Sequence, residues 1–362
     1  MIPLPTLTDP EYKRPEKYSA FDNYVLSMLR DKRDLPFVYL TLKITFIMVP
    51  LGILLYLPFV TGWIWWVISA AYFIVNNLVF KGPFGLMFHC TSHRPLYKSK
   101  HTILNQYLTW FICPFFGQTP ETYFSHHIGM HHLENNLEED ESSTMMYQRD
   151  NFKDYMMYFG KFFFRGLLDL IKYFDIRKLF KFRNKVILGE ASFIIFCVLM
   201  SVFVDFSATF MVFMLPFLMS RIVMMLGNFG QHAFVDFDDP GNCYKNSTTC
   251  INSKYNHKCW NDGYHISHHL KPNMHWTEHP QHLRDHADDY AKNKALVFEK
   301  LDFLRIWWYL MHKDYETLAD HLVNINGMFA SREEAIALMK SRTRKMPARG
   351  ITATSLRKTQ AA

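Results

Sequence analysis

Four long apolar stretches interrupt an otherwise polar chain, running approximately from Phe37 to Val60, Trp63 to Phe80, Val186 to Val204 and Phe206 to Leu226. Each is long enough to cross about 30 Å of hydrocarbon as a helix, which takes roughly 20 residues. Only Thr61 and Gly62 separate the first pair, and little more than Asp205 separates the second, so each pair is predicted to form a tight helical hairpin. Both hairpins must then enter from the same side. The pattern divides the chain into an N-terminal segment (1–36), a first transmembrane hairpin (37–80), a polar region (81–185), a second hairpin (186–226), a second polar region (227–342) and a basic tail (343–362) expected to be mobile.

Charge sets the expected side. Lys13, Arg14, Lys17, Arg30, Lys32 and Arg33 precede the first hairpin, ten basic residues against four acidic lie between Arg149 and Lys185, and the tail from Arg342 to Lys358 is basic again. Lys and Arg accumulate on cytoplasmic flanks, so all three polar regions are expected there. A soluble bundle is the competing reading, and the unbroken apolar pairs with their basic flanks argue against it. Lys43, Glu190 and Arg221 fall inside the spans, where polar groups face a protein interior, mark a substrate path or snorkel. The short aromatic stretch from Ile103 to Gly117, broken by Pro114, suits a re-entrant or interfacial helix as well as an ordinary buried one.

Composition adds little until the histidines are placed. Mean hydropathy is near zero, and a net charge of +7 without an aromatic-interleaved basic stripe argues for a membrane surface and against nucleic acid. Six cysteines without regular spacing, after a polar start, argue against a secreted disulfide scaffold. The eighteen histidines, by contrast, gather at the ends of the apolar stretches. His89 and His93 follow the second; His126, His127, His131 and His132 lie further on; Asn228 and His232 follow the fourth; and His265, His268 and His269 come next. Solvated histidines have no reason to gather so. A zinc site takes four ligands, whereas nine or ten imidazoles are enough for two ions with open coordination positions. Imidazole suits zinc, copper, iron and nickel alike; a redox metal is favoured because hydrolysis needs only three ligands.

These boxes resemble the membrane fatty acid desaturase and hydroxylase superfamily, over roughly Phe37 to His282. The resemblance implies an all-α membrane protein of four transmembrane helices under a cytosolic helical cap, with two iron ions and molecular oxygen. It carries ligand roles onto His89, His93, His127, His131, His132, His265, His268 and His269, with His232 as the lone histidine after the last span. Asn228 corresponds to an asparagine holding a metal-bound water. The implied reaction is O2-dependent oxidation of a lipid acyl chain, on the cytoplasmic face of the endoplasmic reticulum or a bacterial inner membrane. With no HPGG haem-binding or flavin motif present, electrons are expected from a cytochrome b5 or ferredoxin type of partner. The second box, HxxxHH with a doubled start, leaves His126 as an alternative to His127; the four-residue spacing from His127 to His131 favours the latter. That box is also similar to those of alkane and xylene monooxygenases, whereas Asn228, His232 and the HHLKPNMHW stretch look like a desaturase. Desaturation is therefore the expectation, with hydroxylation as the alternative. A zinc-dependent membrane hydrolase and a non-catalytic lipid-binding protein are the readings from other classes.

Three further features have bland readings. His275, His279, His282 and His286 are expected on a polar surface, since Pro280 interrupts their helical spacing. Cys243, Cys250, Cys259 and His257 lack CxxC spacing and are expected in a lid, not a zinc site. Asn246 begins an NST sequon expected to stay unmodified in the cytoplasm, and the acid run Glu134 to Glu141 is expected to be solvated, with a carboxylate beside a ligand as the alternative.

Overall fold

The first apolar helix starts where the sequence supplies its punctuation. Asp31 accepts a hydrogen bond from the Arg33 amide (3.0 Å), and Pro36 sits in the first turn, where a missing N–H costs nothing. From there the computed structural model, which describes residues 1–360 with side chains through Leu356, carries helix from Lys32 to Leu54. Three more helices are long and apolar enough to cross a bilayer: Gly62–His93, Phe180–Phe203 and Phe206–Gln231. Gly62 opens the second with φ +58°, cheap only for glycine, and Asp205 caps the fourth through the Ala208 amide (2.7 Å). Phe46, Trp63, Trp66, Leu78, Val202 and Phe203 are exposed on these helices, a surface that suits hydrocarbon and that water penalises.

The second helix departs most from expectation. The apolar pattern predicts an end at Phe80, yet thirteen more helical residues follow, Lys81–His93. Lys81 does not end it because its ammonium donates to the Phe116 and Pro216 carbonyls (3.1 and 3.2 Å). The resulting 32-residue helix is about 48 Å long at ~1.5 Å per residue, well over the ~30 Å of a hydrocarbon layer. Of the charges inside the spans, Glu190 and Arg221 satisfy each other (3.6 Å), and Glu190 also accepts from Thr119 (2.5 Å), so this pair marks packing. Lys43 is exposed. The stretch expected from Ile103 to Gly117 is helical from Thr102 to Phe115.

The chain divides into two units: Tyr12–His126 with Phe174–Ile222, and Met1–Glu11 with His127–Tyr173 and Val223–Ala362. The latter is helical apart from two three-residue parallel strands, Thr249–Ile251 and Val297–Glu299, paired Thr249 to Val297, Cys250 to Phe298 and Ile251 to Glu299. Tyr264, Ile266, Leu283, Tyr290, Val297 and Val323 form one buried core in it.

Both ends of the chain are built into this unit. The Ile2 amide donates to Leu322 (2.9 Å), the Asn324 amide to Ile2 (2.7 Å), and Asp9 accepts from Tyr264 (2.7 Å) and the Asn252 amide (2.7 Å). At the other end, in place of a loose tail, Met346 and Ala353 are buried. Glu138 accepts the amides of Arg349, Gly350 and Ile351 (2.7, 3.1 and 3.1 Å). The last two residues of the expected tail, 361 and 362, lie outside the described residues.

Candidate metal centre

The second histidine box sits on a π-helical turn, His127–His131. A π turn closes i to i+5, so it brings His127 beside His132, five residues on, and not beside His131. Their Nε2 atoms are 3.0 Å apart. The last box is ordinary α-helix, His265–Leu270, in which i and i+4 share a face. His265 accordingly meets His269, again at 3.0 Å between Nε2 atoms. In each box the first and last histidines pair, while the penultimate one goes to the other group. His268 lies 2.9 Å, Nε2 to Nε2, from His132. His131 joins His232, His265 and His269, whose Nε2 atoms include a 3.1 Å approach between His232 and His265. The two boxes thus exchange one ring each.

These spacings match a metal's coordination shell. Imidazole nitrogens bind a first-row ion at about 2.1 Å, so two neighbouring ligands at right angles are separated by about 3.0 Å. In the group of His131, His232, His265 and His269 every ring is buried and one nitrogen of each lies within 4.8 Å of the others. Burial holds His232 down to about 3, with His131 adding to the shift, and holds His269 well below the ordinary histidine range. Both imidazoles are therefore neutral at physiological pH and keep the lone pair that a metal takes.

The far nitrogens are fixed too. His232 Nδ1–H donates to the Asn246 carbonyl (2.8 Å). His131 Nδ1–H donates to Asp140 (2.7 Å), itself held by the Ser142 amide and hydroxyl (2.8 and 2.6 Å) and the Asn136 amide (3.1 Å). Each Nδ1 bond sets the tautomer that leaves Nε2 facing the group. Asn135 and Asn136, in left-handed conformations (φ 52° and 60°), turn the chain so that Asp140 comes back under His131.

A family model described as fatty acid desaturase matches residues 79–300, more than half of the chain. The chain belongs to the fatty acid desaturase family. No curated protein and no solved structure matches it. The family is known for di-iron use, and the buried, all-nitrogen group of His131, His232, His265 and His269 in this desaturase-family protein fits such an ion.

Several features of the desaturase-family sequence take places different from those expected. His127, not His126, stands in the histidine group, but its partner is His132; the four-residue spacing to His131 is not what joins them. His89 and His93 end the Lys81–His93 helix of the other unit, with ring centroids 5.4 Å apart. Asn228 donates through Nδ2 to the Ser142 carbonyl (2.9 Å) and the Tyr158 hydroxyl (2.7 Å). The acid run is not simply solvated: Asp140 and Glu134 are buried, the latter accepting from Tyr173 (2.6 Å), and Glu141 pairs with Lys161 at the surface (2.8 Å). Of the late histidines only His286 stays at the surface, beside Asp289 (3.1 Å). His275 caps the Trp276–Glu278 turn, His279 lies 2.7 Å from the Ser267 hydroxyl through Nδ1, and His282 is buried against His286. None of Cys243, Cys250 and Cys259 belongs to either histidine group, and burial pushes all three thiols upward, away from the thiolate a metal takes.

Asp140 realises the alternative offered for the acid run, a carboxylate beside a ligand, whereas Asn246 is the residue that sequence reasoning missed in this role. The Asn-Asn turn ahead of Asp140 singles it out within the run; nothing in the spacing of the sequon announces Asn246. Asp140→Asn is expected to weaken iron retention by about 10- to 100-fold, the usual cost of losing a carboxylate behind a ligand. Competition with a graded chelator measures this, and unchanged retention would remove Asp140 from the site.

Proposed function

We propose that this chain is an O2-dependent acyl-lipid desaturase of the membrane, carrying two iron ions on nine histidines. His89 and His93 enter this set from the family's first box, alongside His127, His132 and His268, with His131, His232, His265 and His269 as the second group. The observation that carries the reading is the reciprocal exchange between the two late boxes, since adjacent histidines divided between two groups have no purpose in a single-ion site. In the proposed topology the four spans form two hairpins, both termini and the histidines lie on the cytoplasmic side, and an electron-transfer protein of cytochrome b5 or ferredoxin type docks there. The short connections and the basic flanks support this arrangement.

Bound iron would supply oxygen activation and removal of hydrogen from an unactivated methylene. The protein's own part is to hold neutral imidazoles in fixed tautomers and to keep water away from them. Both Nδ2 hydrogens of Asn228 are taken by Ser142 and Tyr158, which leaves Oδ1 as the acceptor for the metal-bound water that the family pattern gives this residue. Desaturation and hydroxylation share the first hydrogen removal and diverge at the second step. The second-box spacing, the one feature favouring a hydroxylase, lies on the π turn that pairs His127 with His132. Asn228 with His232 and the HHLKPNMHW stretch, which resemble a desaturase, support the reading of desaturation.

Expression in a host lacking the activity, followed by lipid mass spectrometry, tests this directly. The expected product is lighter than its substrate by two hydrogen atoms, and isotopically heavy dioxygen labels water alone. A dominant product heavier by one oxygen atom, carrying the label, would overturn desaturation in favour of hydroxylation. Stoichiometric zinc without iron after iron-replete expression would overturn the di-iron reading itself.

A further inference from the structure

A cleft of about 620 Å³, lined by none of the grouped histidines, lies in the unit that begins at Met1. Lys313, Lys340, Arg344 and Lys345 line it, with Asp150 as the one carboxylate. Four cations against one acid leave a surplus of three positive charges around one concavity. Among the described residues none of the four cations makes an ion pair. The Asp150 oxygens are turned to neutral donors, one accepting from the Tyr315 hydroxyl (2.8 Å) and the other from the Gln148 side-chain Nε2 (2.5 Å). Lys340 is steered by the Tyr315 ring, its Nζ 5.4 Å from the centroid.

The walls are fixed as well. Arg149, between two lining residues, is fully buried and donates to the carbonyls of Arg342 (2.9 Å) and Arg344 (2.7 Å), and its own amide donates to Thr343 (2.8 Å). The Lys345 amide donates to the Gln148 side chain (3.2 Å). The segment carrying Arg344 and Lys345 is thus sewn to the segment carrying Asp150, and Lys313 is set by a left-handed turn (φ 54°). Such convergence of unpaired cations on a fixed concavity is stabilised by an anion that brings several oxygens and more than one charge. Arg344 suits bidentate contact with a phosphate, and the lysines suit point contacts. The volume falls in the ~300–1,000 Å³ range of small-ligand sites, larger than a lone simple anion requires. All four cations lie outside the family-matched residues 79–300 and none belongs to a histidine group, so the site stands apart from the reading of the metal centre.

We propose that this cleft binds a phosphate-bearing ligand, either a phosphorylated lipid headgroup or a soluble polyphosphate compound. The test uses the full-length, iron-loaded protein in phosphatidylcholine nanodiscs, titrated calorimetrically with inorganic pyrophosphate, short-chain phosphatidic acid or polyglutamate. Pyrophosphate is expected to bind, less tightly as salt rises. The double variant K340Q/R344Q should weaken it by about tenfold or more and K313Q by about threefold, with K292Q, an exposed lysine outside the cleft, unchanged. Phosphatidic acid binding more tightly than pyrophosphate assigns the ligand to lipid, and the reverse order to a soluble phosphate. Absence of binding by both phosphate probes, or equal binding by parent and K340Q/R344Q, overturns the proposal. So does binding of polyglutamate alone, which would mark a protein-docking surface.

Discussion

Replacing His269 by alanine is expected to lower product formation by at least about 10³-fold while leaving membrane insertion intact. His269 is buried, its Nε2 is 3.0 Å from that of His265, and its ring centroid lies 5.2 Å from His131 and 5.0 Å from His232. Removing it takes one donor from a group of four and opens a gap that water can enter. Iron content should fall from about two towards about one per chain, because the other group keeps its own rings. Elemental analysis and lipid mass spectrometry on the same preparation check both parts. Wild-type iron together with wild-type activity would show that this group is not where the metal sits.

The second large effect is on stability. Arg149 is fully buried and donates to six carbonyls, those of Thr144, Met145, Tyr147, Ala233, Arg342 and Arg344, at 2.7–3.2 Å. Burial holds its guanidinium down to about 9, still charged at neutral pH. Arg149→Ala leaves these acceptors inside the protein with nothing to receive, at a cost of about 3–5 kcal/mol. Arg149→Lys, with three donors on a flexible stem, recovers only part of it. Thermal unfolding in detergent, followed by release of iron, reads the loss; a variant as stable as the parent would mean that water replaces the guanidinium at no cost.

The long elements were legible because membrane-length apolar runs are a strong signal, and all four candidate spans overlap those expected. What failed was the end of the second. Hydropathy sees Lys81 as a boundary, whereas the fold supplies two carbonyls to its ammonium and continues the helix to His93. The histidine boxes were legible as boxes, but their partners were not, since sequence spacing read with α-helical period joins His127 to His131. Only the local i to i+5 closure pairs His127 with His132. Asn246 was illegible for another reason, and Asp140 was legible only as one of several acids in a run. Both are polar and look like surface, and both are drawn inside, Asn246 by Asn136, distant in sequence, and Asp140 by a left-handed turn that no hydrophobic pattern marks.

The division of the chain has a consequence for biosynthesis. The unit holding His131, His232, His265 and His269 is assembled from the first eleven residues, a middle segment and everything after Val223. On the ribosome its parts emerge at widely separated times, whereas the pieces of the other unit, Tyr12–His126 and Phe174–Ile222, are all made before Val223 appears. Arg149 waits for the carbonyls of Arg342 and Arg344, and Ile2 waits for Leu322 and Asn324. This unit can therefore close only once Arg344 has been made, after every candidate span has been synthesised, so filling of the proposed metal site should follow synthesis of the spans and a ribosome-stalled chain ending before residue 342 should hold less metal than the released protein.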